Sequence, residues 1–124
     1  MRCLLLRAYL HLIEFDWVLA RGDFKRLYRT VSSFPLASGK PGCGDTERVC
    51  AAIDTACVWY GKEVLCLQRS AATTCLLRRC GIPAQMVLGA QQIPFKAHAW
   101  VEVAGKVVND RSYVAQMYAV LDRC

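Results

Sequence analysis

The chain has 124 residues, 55% of them apolar, with sixteen basic against ten acidic side chains and a net charge of +6. That length suits one domain with its own core, and the apolar share excludes a disordered chain. The basic residues are scattered, with no basic run interleaved with aromatics, so no nucleic-acid partner is expected. A mild attraction to acidic peptide or anionic lipid is equally compatible with the charge.

In chain order, residues 3–20 predict a helix, with Leu6, Leu10, Ile13 and Trp17 at helical spacing and Gly22 as its stop. Arg7 interrupts the apolar run, and Glu14 and Asp16 follow, so neither a signal peptide nor a membrane span is expected. The protein is read as cytoplasmic with mostly reduced thiols. His11 lies within this helix beside Leu10 and Leu12, as a surface or packing residue. A second helix is predicted over 23–31, capped by Asp23. Residues 32–44 hold most of the turn formers and read as a loop, either disordered or a joint. Residues 45–60 form a third helix. Cys50 and Cys57, seven apart, share one of its faces as small core fillers.

The fourth helix is predicted over about 67–80, with Leu67, Ala71, Thr74 and Leu76 or Leu77 as its buried stripe and Gly81 and Pro83 as stop signals. Three strands follow, over 85–90, 98–103 and 106–110, the last two joined by Ala104-Gly105 at hairpin spacing. The nominal partner of His98 in that hairpin is residue 111, so Asp110 sits one position away. A bulge or shift is needed to bring both side chains to one face. The tail over 111–124 reads as a short closing helix or an irregular cap.

The eight cysteines contain no C-x-x-C pair, the closest being Cys75 and Cys80, so neither a zinc site nor a disulfide scaffold is expected. Cys66 alone among the eight combines a predicted helix start with a downstream hairpin carrying His and Asp. At a helix start a thiolate is favoured by the dipole, and unpaired N–H groups can hold an oxyanion. By itself it would more often be structural than catalytic. With His98 as base and Asp110 to fix the imidazole, it completes the parts of a cysteine hydrolase. Asp54 and Asp122 are rival carboxylates, neither on a strand beside His98. Trp100 shares the His98 face and either packs beside the ring or fills core. Trp59, Gln68, Arg69, Gln91 and Gln92 are open candidates for substrate contact.

The stretches Cys66-Leu67-x-Arg69-Ser70, Leu77-Arg78-Arg79-x-Gly81-Ile82-Pro83-Ala84, Pro94 to Val103 (PFKAHAWVEV) and Val108-Asn109-Asp110 resemble the transglutaminase-like leader peptidases of lasso peptide biosynthesis. The match covers the second half of the chain, while the N-terminal helices agree only in general character. The resemblance implies an α+β fold with a transglutaminase-like or papain-like core. It has N-terminal helices, a nucleophile at a helix N-terminus, and a small antiparallel sheet carrying His and Asp. It implies a single domain over 1–124, with a helical front end (1–40) as a candidate partner-docking part and a catalytic core over 45–124. It assigns Cys66 as nucleophile, His98 as general base and acid, and Asp110 as the group that orients it, with no metal or cofactor.

The implied reaction removes the leader from a ribosomally made precursor peptide, typically after a threonine at the leader's penultimate position. A separate ATP-dependent cyclase resembling asparagine synthetase then closes the ring. The residues before the third helix lack a strand-rich pattern. That points to the stand-alone form, which relies on a separate PqqD-like leader-binding protein. The alternatives are another acyl transfer or deamidation on the same machinery, or a peptide-binding scaffold without chemistry.

Overall fold

The segment Ser70–Leu77 (SAATTCLL) is built of small and apolar side chains, all of them buried. A helix that is buried all round belongs in the interior. The structure, a computed structural model, describes residues 2–38, 45–92 and 94–124. In it helix α4 (Cys66–Arg79) lies between a layer of helices and a four-stranded sheet. The helices are α1 (Arg2–Ala20), α2 (Phe24–Ser33) and α3 (Thr46–Val58). The strands are β1 (Ala84–Gln92), β2 (Phe95–Val103), β3 (Lys106–Val107) and β4 (Ala119–Arg123), in the antiparallel order β3-β2-β1-β4. A four-residue helix, α5 (Val114–Met117), precedes β4.

Local chemistry accounts for the element ends. Asp23 and Asp45 cap α2 and α3, each accepting a backbone N–H three residues on, from Arg26 and Arg48. Helix α4 ends in a Schellman turn. Gly81, at φ +81°, donates to the Arg78 carbonyl, and Ile82 donates to that of Leu77. The β2–β3 turn places Ala104 and Gly105 at positive φ, as a two-residue hairpin of the primed type requires.

Side chains alternate across the sheet. Ala84 and Met86 of β1 and Val101 of β2 join the core built by Leu12, Phe15, Leu27, Ile53 and Leu76. On the opposite face Val87 and Trp100 form a smaller cluster with Val114.

Several expectations are corrected. The predicted third strand over 106–110 stops at Val107, so Asp110 is not on the sheet; the Asn109 side chain takes over a ladder bond by accepting the Val101 N–H. The first two strands are longer than the predicted 85–90 and 98–103, because β1 and β2 pair continuously from Ala84↔Val103 to Gln92↔Phe95. The tail is a short helix followed by β4, which pairs with β1 across an irregularity at Leu88/Gly89. Its alternation is masked because all five β4 residues are exposed. Of the predicted loop over 32–44, Ser32 and Ser33 close α2, and residues 39–44 lie outside the described residues.

The spacing that marks α1 in the sequence is on its outward side. Leu6, Leu10, Ile13 and Trp17 are exposed, while Leu4, Ala8, Leu12, Phe15 and Val18 are buried. Among the described residues no helix is long and apolar enough to cross a membrane.

Among the described residues six thiols are free, of which Cys3 and Cys66 are exposed, whereas Cys80 is disulfide-bonded. Burial pushes the Cys75 thiol up to about 12 from an ordinary 9.0. Ionisation therefore favours the unfolded chain. This contribution to stability is complete below about pH 9 and is lost as pH rises toward 12. Urea denaturation of wild type and Cys75→Ala should show the variant about 1–2 kcal/mol less stable at neutral pH, with the gap narrowing above pH 9. A constant gap would contradict the assignment.

Candidate functional site

Cys66 is the first residue of α4, and its neighbour Leu65, at the N-cap, offers no side-chain cap. The Arg69 N–H already bonds the Leu65 carbonyl at 2.9 Å. No capping side chain therefore competes for the N–H groups of the first turn, which remain donors at the positive end of the helix. The Cys66 side chain is exposed and forms part of an apolar cavity of about 210 Å³ whose wall also includes His98, Leu67, Leu88, Gly89 and Leu121. A second cavity shares Phe24 and Leu88 with the first and passes Lys25, Tyr28 and Arg29. Together they make a groove that leads away from the thiol between α2 and the sheet.

His98 is held on three sides. Its Nε2 is 2.6 Å from Asp110 Oδ2. Its ring stacks on Tyr118, with centroids 5.3 Å apart, and lies 6.1 Å from Trp100. Trp100 is fully buried, and its indole N–H donates to Glu102 at 2.9 Å. Glu102 in turn faces Arg123 of β4 at 3.6 Å. Gly89 is the residue directly opposite His98 in the β1–β2 ladder. A Cβ there would lie 2.7 Å from two Trp100 ring carbons and 2.9 Å from the Tyr118 Cβ, so only glycine leaves room for the aromatic pair beside the imidazole.

The way Asp110 reaches His98 resolves the register problem posed by the hairpin. The chain keeps its ladder as far as Val108, whose N–H donates to the Val101 carbonyl at 3.0 Å. The next bond is made by a side chain: the Val101 N–H donates to Asn109 Oδ1 at 2.7 Å. Asn109 Nδ2 donates to Ser70 Oγ on α4, and Ser70 donates to the Ala99 carbonyl. Freed from the strand, Asp110 turns toward His98. Burial works against its carboxylate. The His98 hydrogen bond, the Arg111 N–H at 2.7 Å and the charges of His98 and Arg69 outweigh that effect and hold the carboxyl below the usual range.

The remaining sequence candidates lie elsewhere. Gln68 is buried and donates to the Leu12 carbonyl at 2.7 Å, and Arg69 pairs with Asp54. Gln91 bonds the Pro94 carbonyl, and Trp59 is 74% exposed, outside the cavity wall. Asp122 accepts from Tyr28 rather than His98. His11 is buried against Phe15 and Phe34. Sequence reasoning gave no role at the site to Gly89, Asn109, Tyr118 or Leu121. A glycine inside an apolar strand was the available signal for Gly89, whereas Tyr118 and Leu121 depend on β4, which has no readable pattern.

A family model described as the transglutaminase-like superfamily matches residues 9–123. The microcin J25-processing protein McjB of Escherichia coli is 38% identical over 56 residues, which is 45% of this chain and 27% of McjB. The match thus spans about a quarter of that relative's length. No solved structure matches the chain.

Packing around Gly89 generates a test. Gly89→Ala should destabilise the fold by about 1–3 kcal/mol through overpacking and displace Trp100 and Tyr118, seen as altered near-ultraviolet circular dichroism. An unchanged melting temperature and spectrum would contradict the crowding described here.

Proposed function

The chain belongs to the transglutaminase-like superfamily, and on that premise we propose that it is a cysteine peptidase that removes the leader from a ribosomally made lasso precursor peptide. One observation carries the proposal. An exposed cysteine at an uncapped helix N-terminus and a histidine hydrogen-bonded to a carboxylate line the same cavity. The similarity to a microcin J25-processing protein supports a peptide as substrate, as do two adjoining cavities that share Phe24 and Leu88.

With Nε2–H engaged by Asp110, the imidazole turns Nδ1 to the work of proton transfer. Nδ1 takes the Cys66 proton, and the thiolate attacks the scissile carbonyl. The Cys66 N–H donates to the oxyanion that forms. Collapse of the intermediate breaks the C–N bond, and the leaving amine receives its proton from His98. A water, deprotonated by His98, then attacks the thioester; the C–S bond breaks and His98 returns the proton to the departing Cys66 sulfur. The products are a leader with a free carboxylate and a core peptide with a free amine. Asp110 stays ionised throughout, stabilising the imidazolium and fixing the ring. In this reading a separate PqqD-like protein presents the leader. The asparagine synthetase-like cyclase consumes the freed amine. The protein acts in the cytoplasm.

Mass spectrometry of a cognate precursor, incubated with and without the leader-binding protein, tests the proposal. Wild type should give one cut at the leader–core junction. Cys66→Ala and His98→Ala should give none while remaining folded. Asp110→Ala should be slowed less, since an orienting residue can contribute less than the nucleophile it serves. Normal turnover by Cys66→Ala would sink the assignment.

A further inference from the structure

Helix α1 carries two apolar faces, and only one is covered. Leu4, Ala8, Leu12, Phe15 and Val18 are buried in the core. The exposed positions between Cys3 and Ala20 are Cys3, Leu6, Leu10, Ile13, Glu14, Trp17 and Ala20, of which Glu14 alone is charged. Leu6, Leu10, Ile13 and Trp17 are 53–61% exposed and spaced alternately four and three apart, the 3.5-residue period of a helix seam that packs on another helix. Apolar side chains of this size in one continuous stripe mark a contact surface.

The charges flanking the stripe indicate what covers it. Reversing the helix about a point midway between Leu10 and Ile13 maps the stripe onto itself. Leu10 then meets the partner's Ile13, Leu6 meets the partner's Trp17, and Cys3 meets the partner's Ala20. In a two-fold antiparallel pair, each flank of one helix faces the same flank of the other, so any contact made across that flank occurs twice. Arg7 and Glu14 each follow a stripe residue, Leu6 and Ile13, by one position and so share one flank. There the partner's Glu14 lies within about two residues, roughly 3 Å along the axis, of the height of Arg7, and the partner's Arg7 likewise of Glu14. Glu14 is half exposed and, among the described residues, its side chain has a 3.4 Å contact with His11. At the end of the stripe the Arg21 guanidinium lies 3.9 Å from the centre of the Trp17 ring. A parallel pair would align Arg7 with Arg7 and Glu14 with Glu14 at the same height and would lose this complementarity.

We propose that α1 is the interface of a homodimer, with the exposed stripes of two copies packed antiparallel and locked in register by two Arg7–Glu14 ion pairs. The stripe and the cavity containing Cys66 are distinct surfaces, so pairing leaves the groove of each copy open.

Sedimentation equilibrium of the 124-residue chain across the micromolar range tests this, with circular dichroism to show that each variant is folded. Wild type should self-associate to a dimer. Arg7→Glu and Glu14→Arg should each weaken association on the order of tenfold, because two attractive pairs become repulsive. The double reversal R7E/E14R should return it close to the wild-type value, a rescue that loss of folding cannot imitate. A chain that stays monomeric throughout would overturn the proposal and assign the stripe to a different polypeptide. A dimer indifferent to both reversals would overturn it as well, by moving the contact to another face or to a parallel pairing.

Discussion

The Asn109 side chain is the joint on which the arrangement at the cavity depends. It takes the Val101 N–H that a continuing β3 would have bonded and donates to Ser70 of α4. One amide therefore ends a strand, ties the sheet to the central helix and releases the next residue. A strand continuing in register would have left Asp110 on the wrong face of the hairpin. By substituting for one backbone bond, Asn109 leaves no unsatisfied amide behind and lets the carboxylate meet the imidazole at 2.6 Å. Because Ser70 lies four residues after Cys66 on α4, the same joint fixes the histidine strand relative to the end of the helix that bears the thiol.

The electrostatics around the cavity divide into a negative and a positive side. Asp110 supplies a carboxylate held ionised by hydrogen bonds and neighbouring cations against the cost of its partial burial. The helix N-terminus supplies partial positive charge and uncapped N–H groups where negative charge would develop on sulfur and oxygen. The imidazole stands between apolar rings, and Gly89 makes room for them. These aromatic neighbours restrict the ring without competing for its second nitrogen. Buried and half-buried thiols elsewhere in the chain behave differently: desolvation raises Cys50, Cys75 and Cys124 to about 11 or 12, which suits packing rather than nucleophilic work.

What was legible in the sequence was set by local chemistry. Asp23 and Asp45 announce their helices because a carboxylate can satisfy an orphan N–H only there. Gly81 announces the end of α4 because its φ is positive. The order of Cys66, His98 and Asp110 and the Ala104-Gly105 turn were readable, and the structure brings His98 and Asp110 into contact. The features that escaped depend on tertiary context. Strand β4 is exposed along its length, so it carries no alternation. The end of β3 is decided by an asparagine reaching across to α4, which no periodicity records. In α1 both faces are apolar, and the spacing alone does not say which turns inward. The face bearing Ala8 is the one buried, where a small side chain permits close helix packing.

The central claim is that Cys66 becomes acylated by a peptide. Rapid acid quenching of wild type mixed with excess precursor and leader-binding protein, followed by intact-protein mass measurement, tests it most directly. The account predicts a transient adduct equal to the leader mass less one water, located by fragmentation on the Cys66 peptide and absent from Cys66→Ala. Leader release with no such adduct, or an adduct on any other cysteine, would contradict it.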